Sequence, residues 1–207
     1  MARISTVEEL RRIMPEPRPT TKYKILDRLD EQARDFVRAS PFVLLSTANA
    51  DGQIEVSPKG DEPGFMRIED DRTLLMPERT GNNLAFGLQN IFTNGKVGLI
   101  FLCPNTGETL RMSGTAEVFD DADLLQQLGS AGKPALLAIR IHIEKCYFHC
   151  ARAILRSQLW QPQSWPEKKR ISFGKIIAPR TGGTEDDARQ IDANVEGAYG
   201  ARLWSNG

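Results

Sequence analysis

From Glu108 to Val118 the chain runs as a long polar-apolar alternation. Leu110, Met112, Gly114 and Ala116 fall on one side, and Thr109, Arg111, Ser113 and Thr115 on the other. Successive side chains of a strand point to opposite faces, so a run of this length and period predicts a long strand with one face buried and one polar. Just before it, Val97 to Cys103 is almost wholly apolar, as a central strand should be, and Pro104-Asn-Thr-Gly107 supplies the turn between them. A chain committed to this pair must build an antiparallel β layer around it.

The neighbouring segments supply that layer. Phe42 to Ala48 is rich in apolar and small β formers, Asn49-Ala-Asp51-Gly52 is a tight turn, and Gln53 to Lys59 returns as the second strand of a hairpin. Gly60 to Gly64 reads as a loop, Phe65 to Ile68 as a short strand, Asp70-Asp71 as a turn and Thr73 to Met76 as a strand. The period then changes. Leu84, Leu88, Ile91 and Phe92 recur at helical spacing, and Asn94-Gly95 marks a C-terminal stop. Leu136 to Ile143 predicts another strand, followed by Cys146 to His149. Strand lengths of this order suit a meander in a small barrel.

Helices are expected around the strands. Ser5 with Glu8 reads as a capping box opening a helix to about Met14, and Pro15, Pro17 and Pro19 predict an extended linker. Leu26, Leu29, Ala33, Phe36 and Val37 predict a helix from roughly Asp27 to Ala39, closed by Pro41. Short helices are expected over Asp121 to Leu128 and Ala151 to Trp160. Thr184 to Asp187 opens a terminal helix that carries Ile191, Val195, Ala198 and Tyr199 toward a partner surface. The organisation that follows is an extension at 1–26, a principal domain at 27–165, and a C-terminal loop and helix at 166–207.

Composition excludes several roles. Lysine and arginine number 27 and acids number 27, so no bulk field holds nucleic acid or an anionic membrane. Three cysteines, an odd count, and an N-terminus without an apolar signal-like core predict a cytoplasmic protein with reduced thiols. No run approaches the eighteen apolar residues of a membrane span. Cys146, His149 and Cys150 lack paired metal-ligand spacing, and no metal is expected there. Nucleophile elbows and phosphate-binding glycine loops are absent, so the sequence assigns no catalytic residue, and any chemistry is expected to belong to a cofactor.

Three segments carry polar groups suited to a ligand. Met76 to Asn83 passes from strand to helix, where free backbone N–H groups favour an anion and Arg79, Thr80, Asn82 and Asn83 add hydrogen-bonding groups. The same letters also describe an ordinary loop with an asparagine N-cap. Thr109, Arg111 and Ser113 project together from the long strand, as a ligand-facing or a solvated face. Ser57-Pro58-Lys59 places a proline where the strand meets an edge or ends, leaving backbone groups free.

Taken in order, Ser57-Pro58-Lys59, Met76-Pro77, Gly81-Asn82-Asn83, Asn90-Ile, Val97-Gly-Leu and Glu108-Thr-Leu-Arg111-Met-Ser-Gly114 resemble the pyridoxamine 5'-phosphate oxidase-related FMN-binding proteins. Phe148 to Trp160 is similar to a bacterial subgroup of about this length, and the likeness covers roughly Asp27 to Trp165. The resemblance implies a mainly β protein with flanking helices, built as a six-stranded antiparallel split β-barrel. It also implies a homodimer that binds FMN between its subunits and acts as an oxidoreductase on a small molecule. A non-catalytic flavin, deazaflavin or haem binder is the alternative. The implied cofactor-binding residues are Ser57, Pro58, Lys59, Pro77, Glu78, Arg79, Thr80, Asn82 and Asn83, with Thr109 and Arg111 reaching across from the other subunit. Arg152, Arg156 and Trp160, one helical turn apart, read either as cofactor-binding groups that close over the ligand or as a solvated arginine face with a core tryptophan. The sequence departs from the family at Asn82-Asn83, where the true oxidases carry adjacent basic residues. Arg79, Lys59 or Arg111 must then balance a phosphate, and no synthesis of pyridoxal phosphate is predicted.

Overall fold

The computed structural model describes residues 3–200 and 203. In chain order its elements are α1 (Val7–Ile13), α2 (Pro19–Lys22), α3 (Glu31–Ala39), β1 (Phe42–Ala48), β2 (Ile54–Gly60), β3 (Arg67–Ile68), β4 (Thr73–Glu78) and α4 (Phe86–Asn94). There follow β5 (Lys96–Leu102), β6 (Thr109–Phe119), α5 (Ala122–Gln127), β7 (Leu137–His149), α6 (Arg152–Ser157), α7 (Phe173–Ile177) and α8 (Glu185–Tyr199).

The strands form one antiparallel sheet in the order β2-β1-β5-β6-β7-β4-β3. It has seven strands where six were expected. The two-residue β3 pairs onto β4 as an additional edge, Arg67 opposite Leu75. The segment read as two pieces around 143–146 runs through as one strand. It stays continuous because Ser113 pairs with Lys145 and Gly114 with Ile143, leaving Glu144 as the extra residue of a β-bulge. Gly114 makes the crossing possible, since a Cβ there would lie 1.8 Å from the His142 carbonyl oxygen.

The alternation of β6 holds as expected: Leu110, Met112 and Ala116 are buried, and Arg111 is exposed. They join Val43, Leu45, Leu99, Phe101, Leu74, Met76, Ile139, Ile141 and Ile143 in one core. α3 adds Ala33 and Val37, and α4 adds Ile91. Removing such side chains from water is the main force closing the sheet, at about 1.5–3 kcal/mol each.

Local departures have identifiable causes. α1 is capped by Thr6, not Ser5, because Glu9 reaches back to two amides, Thr6 at 3.3 Å and Ser5 at 2.7 Å. Pro19 opens a single helical turn, where its missing donor is harmless, and does not extend the linker. α3 begins four residues late. The Asp30 carboxylate accepts from the Ala33 N–H at 2.8 Å, while the backbone of Leu26 is tied to Cys146 of β7. α6 ends at Ser157 with Gln158 left-handed, so Trp160 lies beyond it.

The C-terminal helices pack on each other. Gly174 of α7 meets the backbone of Ala188 in α8, and Asp192 accepts from the Gly174 N–H at 2.9 Å and the Ser172 hydroxyl at 2.5 Å. Those two donors hold the Asp192 carboxyl below its usual range. No side chain of α7 or α8 joins the hydrophobic clusters of the sheet. Among the described residues, no helix is long and apolar enough to cross a membrane.

Candidate functional site

The sheet does not close on itself. β2 pairs only with β1, and β4 pairs with β7 and β3, so β2 and β4 face each other without a backbone ladder between them. The edge position of β2 accommodates Pro58, which lacks the donor a central strand needs. Side chains cross the gap instead. Lys59 Nζ donates to both oxygens of Glu78 at 2.6 Å, with the two side chains only 19% and 17% exposed. One step further along, Arg79 Nε donates to Asp61 Oδ2 at 2.8 Å and Arg79 Nη2 to the Leu128 carbonyl at 2.8 Å. The Asp61 side chain is 1% exposed, and its other oxygen accepts from the Ser130 hydroxyl at 3.0 Å.

Beside these cross-links lies a groove of about 770 Å³. Ser57, Pro58 and Lys59 form one wall, Pro77, Glu78 and Arg79 the other, and Thr80 to Leu88 the end. Its size is that of a site for a cofactor or small molecule. The start of α4 is held close. Asn90 Nδ2 donates to the Thr47 hydroxyl at 3.1 Å, and Gly87 lies against Thr47 and Ser57. A smaller pocket of about 400 Å³ shares Phe65 and Arg79 with the groove.

The structure thus brings together Ser57, Pro58, Lys59, Pro77, Glu78, Arg79, Thr80, Asn82 and Asn83. It changes what several of them can do. Asn82 and Asn83 are not the helix start, for α4 begins at Phe86 behind Ala85, which is left-handed at φ 53°. Asn83 is also left-handed at φ 60°, and the Asn82 side-chain oxygen accepts from the Leu84 N–H at 3.1 Å. An asparagine bonded to the backbone two residues on favours a turn over a helix. Both candidate cations of the groove already hold carboxylates, Lys59 on Glu78 and Arg79 on Asp61. Glu55 also lines the groove and carries no ion pair among the described residues. Among the described residues of one chain the groove therefore offers hydrogen bonds and apolar walls, but no uncommitted positive charge.

The other candidates lie elsewhere on this chain. Thr109 and Arg111 are on the outward face of β6. Arg152 and Arg156 are exposed on α6, and Trp160 Nε1 donates to the Thr106 carbonyl at 2.8 Å, folding onto the β5–β6 turn. Sequence reasoning missed Asp61, which sat in a stretch read only as loop. Glu55, Phe65, Phe86 and Leu136 were missed as well, since apolar and acidic residues carry no ligand signature until the sheet curls.

Residues 29–150 match the family model described as pyridoxamine 5'-phosphate oxidase. No curated protein matches the sequence. Among solved structures, HupZ of Group A Streptococcus is 24% identical, over 57% of this chain and 91% of that one, with a TM-score of 0.46. A candidate pyridoxamine 5'-phosphate oxidase from Lactobacillus delbrueckii is 28% identical, over 59% and 95%, at 0.46. HutZ, the haem storage protein of Vibrio cholerae, is 14% identical, over 59% and 94%, at 0.42.

Proposed function

The chain belongs to the pyridoxamine 5'-phosphate oxidase family, and from that premise we propose that it is an FMN-binding flavoprotein, an oxidoreductase for a small organic substrate that works as a homodimer. The observation that carries the reading is the groove between β2 and β4, where two separately chosen sequence segments, Ser57 to Lys59 and Pro77 to Asn83, become its two walls. A flat ring fits such a slot. Pro58 leaves the edge of β2 without a donor at one point, Ser57 offers a hydroxyl, and Val56, Leu84 and Phe86 offer apolar contact. When bound, FMN supplies the redox chemistry that no side chain of the groove supplies.

The chain's own residues do the rest. Glu78, held by Lys59, keeps the wall of β4 at a fixed distance from β2. Asp61 holds Arg79 against the Leu128 carbonyl and turns its guanidinium toward the smaller pocket. Thr80, Asn82 and Asn83 present neutral hydrogen-bonding groups at the open end.

Support for a dimer comes from the outward face of the sheet. In register across it run Pro58, Leu44, Ile100, Arg111 and Tyr147, and the adjoining Val56 and Ile54 are 57% and 69% exposed. An apolar strip continuous with the groove wall suits a second copy of the same chain.

The test is an absorption spectrum of purified protein before and after incubation with FMN and desalting. Retained flavin absorbance is the expected result. Protein that stays colourless after reconstitution refutes the flavin reading and leaves a haem or deazaflavin binder, or a ligand-free dimer, to be tested by the same titration with those groups.

A further inference from the structure

The smaller pocket beside the groove, about 400 Å³, lies between two tight turns. One is the loop after β2, where the Asp61 N–H donates to the Pro41 carbonyl at 3.0 Å and the Phe65 N–H to the Glu62 carbonyl at 3.1 Å. The other follows α5, where Ser130 and Lys133 exchange backbone hydrogen bonds at 2.9 and 3.0 Å. The Asp61 carboxylate ties the two together. It accepts from the Glu62 N–H at 2.7 Å, the Ser130 hydroxyl at 3.0 Å and Arg79 Nε at 2.8 Å, so it serves the frame and not a ligand. A pocket with walls fixed in this way has little ordering to lose when a ligand enters.

Three groups around it are unspent. Arg79 uses Nε on Asp61 and Nη2 on the Leu128 carbonyl, which leaves Nη1 without an acceptor among the described residues. Arg67 donates from Nη1 to Gln127 Oε1 at 2.5 Å, and among the described residues its charge meets no carboxylate. Glu62 is the converse, a carboxylate that meets no cation among them. Unpaired charges on a protein surface are ordinary. These two differ in standing over one pocket, with opposite signs, without reaching each other. Phe65, Pro63 and Leu128 supply apolar lining.

We propose that this pocket binds a small α-amino acid with an apolar side chain, its carboxylate on Arg67 and Arg79 and its ammonium on Glu62. A zwitterion is the ligand that leaves neither protein charge alone. A plain anion satisfies Arg67 but is repelled by Glu62, and a plain cation meets the reverse. The Asp61–Arg79 pair adds no net charge, so the pocket is neutral as a whole and matches a neutral ligand. Guanidinium groups suit carboxylate oxygens, and a charge-assisted hydrogen bond is about twice as strong as a neutral one. The volume has room for a branched aliphatic side chain against Phe65. The site lies outside the groove and does not depend on the flavin reading. The shared Phe65 and Arg79 nevertheless put its occupant next to whatever the groove holds.

The test follows backbone amide NMR shifts of the full-length protein at constant ionic strength. Three probes are titrated: leucine, isocaproate, which lacks only the amine, and isoamylamine, which lacks only the carboxylate. Leucine is expected to give saturable shifts confined to residues 61–67 and 127–130. Each of the other two is expected to bind about tenfold more weakly, since each forgoes one charge-assisted contact. Glu62→Gln is expected to erase the preference for leucine over isocaproate, and Arg67→Met the preference for leucine over isoamylamine. A merely damaged fold weakens all three probes alike and exchanges no preference. Leucine shifts that do not saturate, or that isocaproate or isoamylamine reproduces at equal strength, overturn the proposal, as does a Glu62→Gln protein that still prefers leucine. A protein that takes up no FMN yet saturates with leucine refutes the flavin reading alone, and one that keeps FMN but ignores leucine refutes this pocket alone.

Discussion

Replacing Lys59 with methionine strands the Glu78 carboxylate inside the split between β2 and β4. Exposed ion pairs contribute about 0.2–1 kcal/mol, whereas removing one partner of a buried pair costs about 3–5 kcal/mol. Lys59 and Glu78 are about four-fifths covered and bonded through both carboxylate oxygens, so the loss should fall between, at about 2–3 kcal/mol. In a domain of this size that lowers the melting temperature by roughly 5–10 °C. Glu78→Leu should do similar damage by leaving the ammonium alone. The double variant Lys59→Met/Glu78→Leu should be more stable than the sum of the single losses predicts, because an apolar pair removes both desolvation penalties together. Urea unfolding of the four proteins gives the coupling directly, expected at about 2 kcal/mol. Single losses below about 0.5 kcal/mol that simply add would refute the idea that this pair fastens the split.

Two further outcomes follow from close contacts and burial. Gly114→Ala puts a methyl group 1.8 Å from the His142 oxygen and 3.1 Å from the Glu144 nitrogen, so the bulge must open. A loss of about 3 kcal/mol or more is expected in urea unfolding, and an unchanged midpoint would show that the β6–β7 crossing relaxes freely. For the thiols, burial pushes Cys146 up to about 12, whereas Cys150 is exposed. Iodoacetamide at mildly alkaline pH should therefore label Cys150 and spare Cys146 until the protein is denatured, as read by peptide mass spectrometry.

The β layer was legible in the sequence because period two is a local property. Leu110, Met112 and Ala116 declare their face by spacing alone, and Gly95 and Gly52 announce their turns through positive φ. One wall of the groove was legible for a related reason: Pro58 marks a place where a strand's pairing is incomplete. What could not be read was the pairing of charges. Nothing local says that Lys59 meets Glu78 nineteen positions later, or that Arg79 turns away to Asp61. Each basic residue looked free to meet a phosphate until the sheet curled. The start of α4 was misplaced because Asn82 resembles a cap, and only the left-handed Ala85 shows where the helix begins. The short strand expected over Phe65 to Ile68 is present as β3 but shrinks to Arg67 and Ile68, too few residues for a period to mark its start.

The split itself has a consequence for how such a protein can change. Most residues that line the groove lie outside the hydrophobic core, and none of Ser57, Asn82, Asn83 or Phe86 belongs to it. Substitutions there alter what is recognised while leaving the folding energy in other hands, those of Phe101, Met112 and Ile141 on β5, β6 and β7. Selection can then trade one occupant for another in small steps, none of which has to pass through an unfolded chain.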